Sequence, residues 1–449
     1  MVTTTASAVR TTEPLPRRYW RLWTATISSG LGDGATAAAL PLLAVSLTRD
    51  PRLVAAVSTA AYLPWLLFSL VAGALADRID RRRLMWVAQA VQATVVAVIA
   101  LAAGTHLARI WLLCAAALLL GTAETVFDNA AQSVLPQVVS PGQLQNANAA
   151  QYAGQTVTER FVGPPIGGLL FAASAGLPFA LDAVSFLVSA ALIVRLPLRQ
   201  QPSAAPLRQQ PSAAPLRQQR QATPVTASRG LASLGLASLI ADITEGLRWL
   251  ANHRLLRGLA AIVGVNNLCN QLAWSTMVLL ATGTFGLSAR GYGILLAAQA
   301  LGGVAGSLVN RRLVRAIGAR SALVAALITT ALAYLGAGLA PDIVLVGALF
   351  ALSGVASMVW NVVTVSLRQD IVPGNLLGRV NSAYRMISWG TISLGGVLGG
   401  FLAHWLSLRA PLVAASGLRL ATLLAAVPLL VAAGRDLGAG RAAAAESDG

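Results

Sequence analysis

Long apolar runs alternate with short polar segments along almost the whole chain, and each run is about as long as a helix must be to cross lipid. A hydrocarbon core about 30 Å thick takes roughly 20 residues of helix, and nothing within it can satisfy an open backbone. Twelve stretches meet that requirement: 22–47, 53–76, 84–104, 110–134, 149–173 and 177–194, then 258–280, 291–309, 322–340, 343–367, 380–402 and 412–433. The pattern predicts an all-α membrane protein of twelve transmembrane helices, with six-helix blocks at 22–195 and 258–433. Polar tails occupy 1–21 and 434–449, and a polar linker occupies 196–257. Arg17, Arg18 and Arg21 lead into a first run too long for a signal peptide, so that helix is expected to stay.

Composition agrees with this pattern and narrows the chemistry. Of 449 residues 56% are hydrophobic and 11% charged, where a soluble domain has about a quarter of its residues charged. The formal charge of +17 comes from arginine, because the chain has no lysine. Without lysine there is no Walker P-loop and no Schiff-base anchor, which excludes ATP-driven pumping by this chain alone. Cys114 and Cys269 both lie in apolar runs, and His106, His253 and His404 are far apart; neither a disulfide framework nor a metal site is expected, and no cofactor. The arginines sort by membrane side. With the N-terminus inside, 25 lie in inner segments, five in outer loops and three within spans (Arg160, Arg385 and Arg419), which places both termini in the cytoplasm. Cations spread by membrane side form no nucleic-acid-binding face.

The two blocks are related. At an offset of 233 residues, Gly73, Asp77 and Arg78 fall on Gly306, Asn310 and Arg311; Phe127 falls on Trp360, and Gly163 and Gly167 fall on Gly396 and Gly400. Parallel repeats of this kind place a substrate path at their shared interface near the midplane, with the halves rocking about it. In the linker, Leu-Arg-Gln-Gln-Pro-Ser-Ala-Ala-Pro occurs at 198–206 and again at 207–215, a composition that builds no core and predicts a tether. Leu236, Leu239, Ile240, Ile243, Leu247 and Leu250 then recur at helical spacing, as an amphipathic helix on the cytoplasmic membrane face would require.

Three motifs carry a resemblance. Gly73-Ala-Leu-Ala-Asp77-Arg78-Ile-Asp80-Arg81-Arg82-Arg83 lies in the cytoplasmic loop after the second span. It resembles the G-x-L-x-D-R-x-G-R-R signature of the major facilitator superfamily, whose acid and arginines hold the cytoplasmic gate. Asp80 stands where that family has a second glycine, and Asn310 stands in the other half where an acid would be. Gly163-Pro164-Pro-Ile-Gly167-Gly168, in the fifth span, is similar to the G-P-x-x-G-G element of the exporter branches. The arginine those branches place in span four is absent: Ala117 and Leu118 to Leu120 precede Gly121. Leu135 to Asn148 and Glu245-Gly-Leu-Arg248-Trp249 add a likeness to enterobactin exporters and macrolide-efflux proteins. The resemblance implies two pseudo-symmetric six-helix bundles and proton-coupled export of a drug-like molecule.

Charges inside spans persist mainly where a cavity or a partner offsets their cost. Asp33, Glu124, Asp128, Glu159 and Asp182 all lie in the first half. At 1.5 Å per residue, Asp33, Glu124 and Glu159 come within a turn or two of the midplane, while Asp128 and Asp182 lie nearer the faces; Asp33, Glu124, Glu159 and Asp128, with Arg160, are the candidate proton-coupling groups. Arg160 points about 100° away from Glu159 on a helix, so it is expected to pair with Asp33 or Glu124 instead. The second half offers amides: Asn266, Asn267, Asn270 and Gln271 in span seven, with Asn361 and Arg385 in spans ten and eleven. Asn266 is the counterpart of Asp33, and Asn361 of Asp128. These residues, with Trp65, Trp274 and Trp360, are candidates for a cavity taking a bulky amphipathic compound.

The sequence therefore predicts a plasma-membrane exporter of a small amphipathic molecule in exchange for protons, embedded in the bilayer and complete as a monomer. A siderophore or other endogenous product is the alternative cargo. A non-transporting sensor or scaffold is the alternative of another class, and it has little reason to retain buried acids.

Overall fold

The computed structural model describes residues 14–196, 248, 250–371 and 377–425; for 69–78, 141, 145, 254–255, 366–371, 377–387 and 389 it describes the backbone alone. The nine-residue repeat and the segment at 236–247 lie outside the described residues.

All described secondary structure is helical, and the twelve spans appear in order. Spans one to four are Arg17–Leu47, Pro51–Arg78, Arg81–Gly104 and Ile110–Val138. Span five is composite: Leu144–Gln155, a π-helical stretch Thr156–Val162, and Gly163–Ala173. Span six is Leu177–Val194, and span seven is Arg254–Trp274 continued by Met277–Leu279 and a π-helical stretch Leu280–Thr284. Ala289–Leu339 runs as one helical rod broken at Gly318, whose φ of 80° only glycine adopts freely; the break divides it into spans eight and nine. Spans ten, eleven and twelve are Ile343–Ile371, Leu377–Trp405 and Ala410–Ala425. Most helices extend a turn beyond the apolar run, because intrahelical hydrogen bonds continue to close in the headgroup region where apolar side chains are no longer required.

Within the first half, span one packs on spans five and six, span three on four and six, and span two on four. In the second half, span seven packs on eleven, and the rod of spans eight and nine packs on ten. Two seams join the halves: span two against span eleven, and span five against span eight. Leu101, Trp111, Leu308, Val344 and Leu406 are exposed on the periphery, as side chains in lipid would be.

The apolar cores are divided by membrane side. One continuous cluster joins both halves, and it draws on the outer ends of the spans: Leu42, Leu43, Val54, Ile99, Leu113 and Phe179 with Met277, Leu280, Tyr292, Tyr334, Phe350 and Leu412. Toward the cytoplasm the cores are separate. Tyr19, Leu22, Met85, Phe127 and Val134 pack in the first half, while Leu256, Leu259, Leu323, Trp360 and Val363 pack in the second. The described halves are thus fused at the outer face and divided at the inner one.

Candidate functional site

A cavity of about 200 Å³ opens within the first half. Span one contributes Thr26, Ser29 and Asp33, span three Gln89 and Gln92, and span four Glu124, Phe127 and Asp128. Span five contributes Tyr152, Gln155, Thr156, Glu159 and Arg160, and span two contributes Trp65. Spans one, three and four place their polar lining residues three, four or seven positions apart, on one face, while span five presents two neighbouring rows, Gln155 with Glu159 and Thr156 with Arg160. Four of the five membrane acids and one of the three arginines within spans, Arg160, therefore surround one space. The carboxyls outnumber the cation, and among the described residues the side-chain oxygens of Gln89 and Gln92 are buried without a hydrogen-bond partner. The fifth acid, Asp182, lies behind span one, where it accepts hydrogen bonds from Thr36 Oγ1 at 2.6 Å and from Ser185 Oγ at 3.2 Å.

Span five is shaped for this role by its prolines. Pro164 and Pro165 have no N–H to give to the carbonyls four residues earlier, at Arg160 and Phe161, and the helix relaxes into the π-helical stretch just before them. That stretch carries Glu159 and Arg160 and lies against glycines of span one. A Cβ on Gly34 would stand 2.6 Å from the Glu159 carbonyl oxygen, and one on Gly30 would stand 3.2 Å from Glu159 Oε1. Glutamate backbone and carboxyl thus fit against span one only because those two residues have no side chain. Arg160 is exposed to the cavity, and among the described residues no ion pair joins it to Asp33 or Glu124. The expected cross-helix pairing is not formed, because the π-helical stretch turns Glu159 toward span one and leaves the guanidinium in the open space.

The glycine-proline element lies on the seam. A Cβ on Gly163 would stand 2.6 Å from Gly34 Cα, and one on Gly167 would strike the Ala35 carbonyl oxygen, which locks span five onto span one. Gly168 faces the other half, with the Ala289 carbonyl oxygen 2.5 Å from its Cβ position, and Gly293 of span eight meets the Pro164 carbonyl in return. The other seam is as close: Gly396 approaches Thr59, and Gly400 approaches Pro51, Arg52 and Ala55.

Of the cytoplasmic motif, Gly73, Asp77 and Arg78 end span two, and their side chains lie outside the described residues. Arg81 reaches the Ser133 carbonyl of span four at 3.3 Å. Asp80 caps span three, its Oδ1 accepting from the Arg83 N–H at 3.1 Å, while Arg81 and Arg82 between them are both partly buried. The aspartate in place of glycine therefore has a local structural explanation.

The second-half candidates are dispersed. Asn266 and Asn270 hold partners on neighbouring helices, Asn267 donates to Ser388 of span eleven, and Gln271 is buried beside Gly396. Asn361 is exposed, but Trp360 is packed in the inner core, where its size fills the space between spans seven and nine. Trp274 lies against Phe350, with ring centroids 4.8 Å apart. The Arg385 side chain lies outside the described residues. Sequence reasoning passed over Gln89, Gln92, Gln155 and Thr156, although polar residues at i and i+3 or i+4 inside an apolar span carry that signal. It also counted Arg419 without assigning it a site.

Family profiles match both halves: "Transmembrane secretion effector" over residues 10–228 and "Major Facilitator Superfamily" over 259–446. The chain belongs to the major facilitator superfamily. It is a multi-pass transporter of the plasma membrane and not an enzyme. This facilitator is 26% identical over 401 residues to the multidrug efflux pump Tap of Mycolicibacterium fortuitum, covering 87% of this chain and 90% of that one. It is 28% identical over 244 residues to the Tap of Mycobacterium tuberculosis, where the match covers 53% and 52%. Solved structures share the fold. A bacterial homologue of the lysosomal transporter Spinster, inward-facing and occupied, superposes with a TM-score of 0.69 at 12% identity, over 93% of this chain and 96% of that one. An inward-facing bacterial homologue of ferroportin gives 0.67 at 15% identity, over 92% and 99%.

Proposed function

We propose that this transporter exports a small amphipathic, drug-like molecule from the cytoplasm in exchange for protons. The observation that carries the reading is the convergence of Asp33, Glu124, Asp128 and Glu159 on one cavity of a chain that spans the membrane. Carboxyls sharing one enclosed space titrate as a linked group, so loading a proton on one changes the affinity of the others for protons and for a cationic cargo. Proton and cargo then compete for the same charges, and each favours a different facing state. The fused outer core and separate inner cores support a cavity that receives cargo from the cytoplasm. The likeness to Tap supports a drug as cargo.

The test is drug uptake into everted vesicles bearing the full chain, with and without a pH gradient. Exchange predicts transport that stops when the gradient is collapsed, and a Glu124→Gln protein that binds cargo yet no longer responds to the gradient. Uptake unchanged by collapse would reject proton exchange; absence of flux for every compound in a broad drug panel would reject export of drugs.

A further inference from the structure

Arg419 of span twelve is 3% exposed, and among the described residues it has no carboxylate partner. Its Nε donates to Asn266 Oδ1 at 3.0 Å, its Nη2 reaches the Asn266 carbonyl at 3.5 Å, and its guanidinium lies 3.9 Å over the ring of Tyr334. The remaining terminal nitrogen, Nη1, is buried and has no acceptor among the described residues. Four residues further along span seven, the Tyr334 hydroxyl donates to Asn270 Oδ1 at 2.6 Å and accepts from Trp274 Nε1 at 3.2 Å.

This network has a polarity fixed by chemistry. Guanidinium and indole nitrogens can only donate. Arg419 therefore requires the oxygen of Asn266 to face it. The indole occupies the Tyr334 oxygen as acceptor, so the phenolic proton goes to Asn270, whose oxygen must also turn inward. Both amide NH2 groups then point away from Arg419 and Tyr334. Asn266 and Asn270 are one helical turn apart on one face of span seven, and Asn270 is exposed. That face is the repeat counterpart of the face on which span one carries Asp33 into the first-half cavity.

We infer that Asn266 and Asn270, held by Arg419 and the Trp274–Tyr334 pair, form a donor-only wall that binds the carbonyl or carboxylate end of the cargo. The inference deepens the export reading and rests on it, in that cargo must occupy the space between the halves. The first half offers carboxyls to a basic group; the second offers N–H donors backed by an unneutralised guanidinium. The cargo class that satisfies both is an amphiphile with an amine at one end and an oxygen acceptor or carboxylate at the other. An unpaired buried cation also strengthens hydrogen bonds to an anionic acceptor nearby.

The test measures equilibrium binding of two probes to the purified full-length transporter. Ciprofloxacin carries a piperazinium together with a ketone and a carboxylate, while tetraphenylphosphonium is a lipophilic cation with no acceptor. Asn270→Asp keeps the oxygen that Tyr334 needs and replaces the outward NH2 by an acceptor. It is expected to lower the ratio of ciprofloxacin to tetraphenylphosphonium affinity about tenfold, as losing a hydrogen bond to a charged group and facing like polarity would. Tyr334→Phe, which frees the Asn270 amide to rotate, is expected to lower the ratio in the same direction by less, and carries the test if the first variant does not fold. A ratio equal to wild type in the folded variants would overturn the inference, as would wild-type protein that does not bind ciprofloxacin. Efflux that ignores the pH gradient would remove the exchange reading and leave the donor wall standing, because the ratio needs no gradient.

Discussion

His404 Nδ1 lies 3.6 Å from Asp50 Oδ1, joining the outer end of span eleven to the loop before span two. The contact sits at the rim of the seam where Gly400 meets Pro51 and Arg52, so it closes the outer face across the two halves. Arg52 donates to the same carboxylate, 2.8 Å from Oδ2, and holds the Asp50 carboxyl below the usual aspartate range. A carboxyl lowered in the closed state adds stability above the ordinary aspartate range, and that contribution is lost as pH falls through the lowered value. His404 thus adds a contact from the second half to a carboxylate already held by Arg52. An exposed pair of this kind contributes about 0.2–1 kcal/mol. Asp50→Asn is therefore expected to shift the closed-to-open balance of the outer face by about 1.4- to fivefold. Spin labels at the exposed Arg49 and Ser407 read that balance as a distance distribution. An unchanged distribution would assign the contact no part in closure.

A second prediction concerns the seam between spans five and eight. A side chain on Gly168 meets backbone, the Ala289 carbonyl oxygen at 2.5 Å, which cannot swing aside as a side chain would. Gly168→Val should cost about 1–3 kcal/mol of the closed state and lower transport by at least tenfold. Gly104 has nothing within 4 Å of its Cβ position, and Gly104→Ala should leave both unchanged. Thermal unfolding and efflux measured side by side check the pair.

Much of this arrangement was legible in the sequence, for physical reasons that also explain where it was not. Lipid imposes a strict length and composition on helices, so twelve spans and their direction could be read from apolar runs and arginine placement. The residues Asp33, Glu124, Asp128 and Glu159 stood out because charge in lipid is costly. Three features were not legible. The π-helical stretch of span five depends on how Gly30 and Gly34 receive it from another helix. The rod from Ala289 to Leu339 turns at Gly318 through a φ that no hydrophobic pattern encodes. The polarity of Asn266 and Asn270 is set by Arg419 and Trp274, which are 153 and four residues away from the asparagines they orient.

The aspartate that departs from the facilitator loop signature yields a third prediction. Asp80 accepts from the Arg83 N–H at the start of span three, satisfying one of the donors that a helix leaves open. Asp80→Ala removes the acceptor and should cost about 1 kcal/mol, while Asp80→Gly, the family's residue, should cost a few tenths because the freed N–H reaches water. The order of melting temperatures, wild type above Gly above Ala, is the readout; Ala equal to wild type would show that the cap contributes nothing.

The last prediction separates the two kinds of buried acid. Glu124 opens onto the cavity beside Asp128 and Arg160, whereas Asp182 is 1% exposed and is held by hydroxyls of Thr36 and Ser185. Its environment resembles a pin between spans one and six more than a proton path. Gly32 makes the same point, since a Cβ there would strike Asp182 and Ser185, so the helices close directly over the carboxyl. Asp182→Asn leaves one oxygen for Thr36 but places an NH2 where an acceptor was, at a cost of about 1–3 kcal/mol. The expected result is a lower melting temperature with the pH profile of efflux unmoved. For Glu124→Gln the expectation is reversed: a melting temperature near wild type and a pH profile that flattens. If Asp182→Asn instead flattens the profile while the fold holds, the proton path runs behind span one and the cavity acids serve the cargo alone.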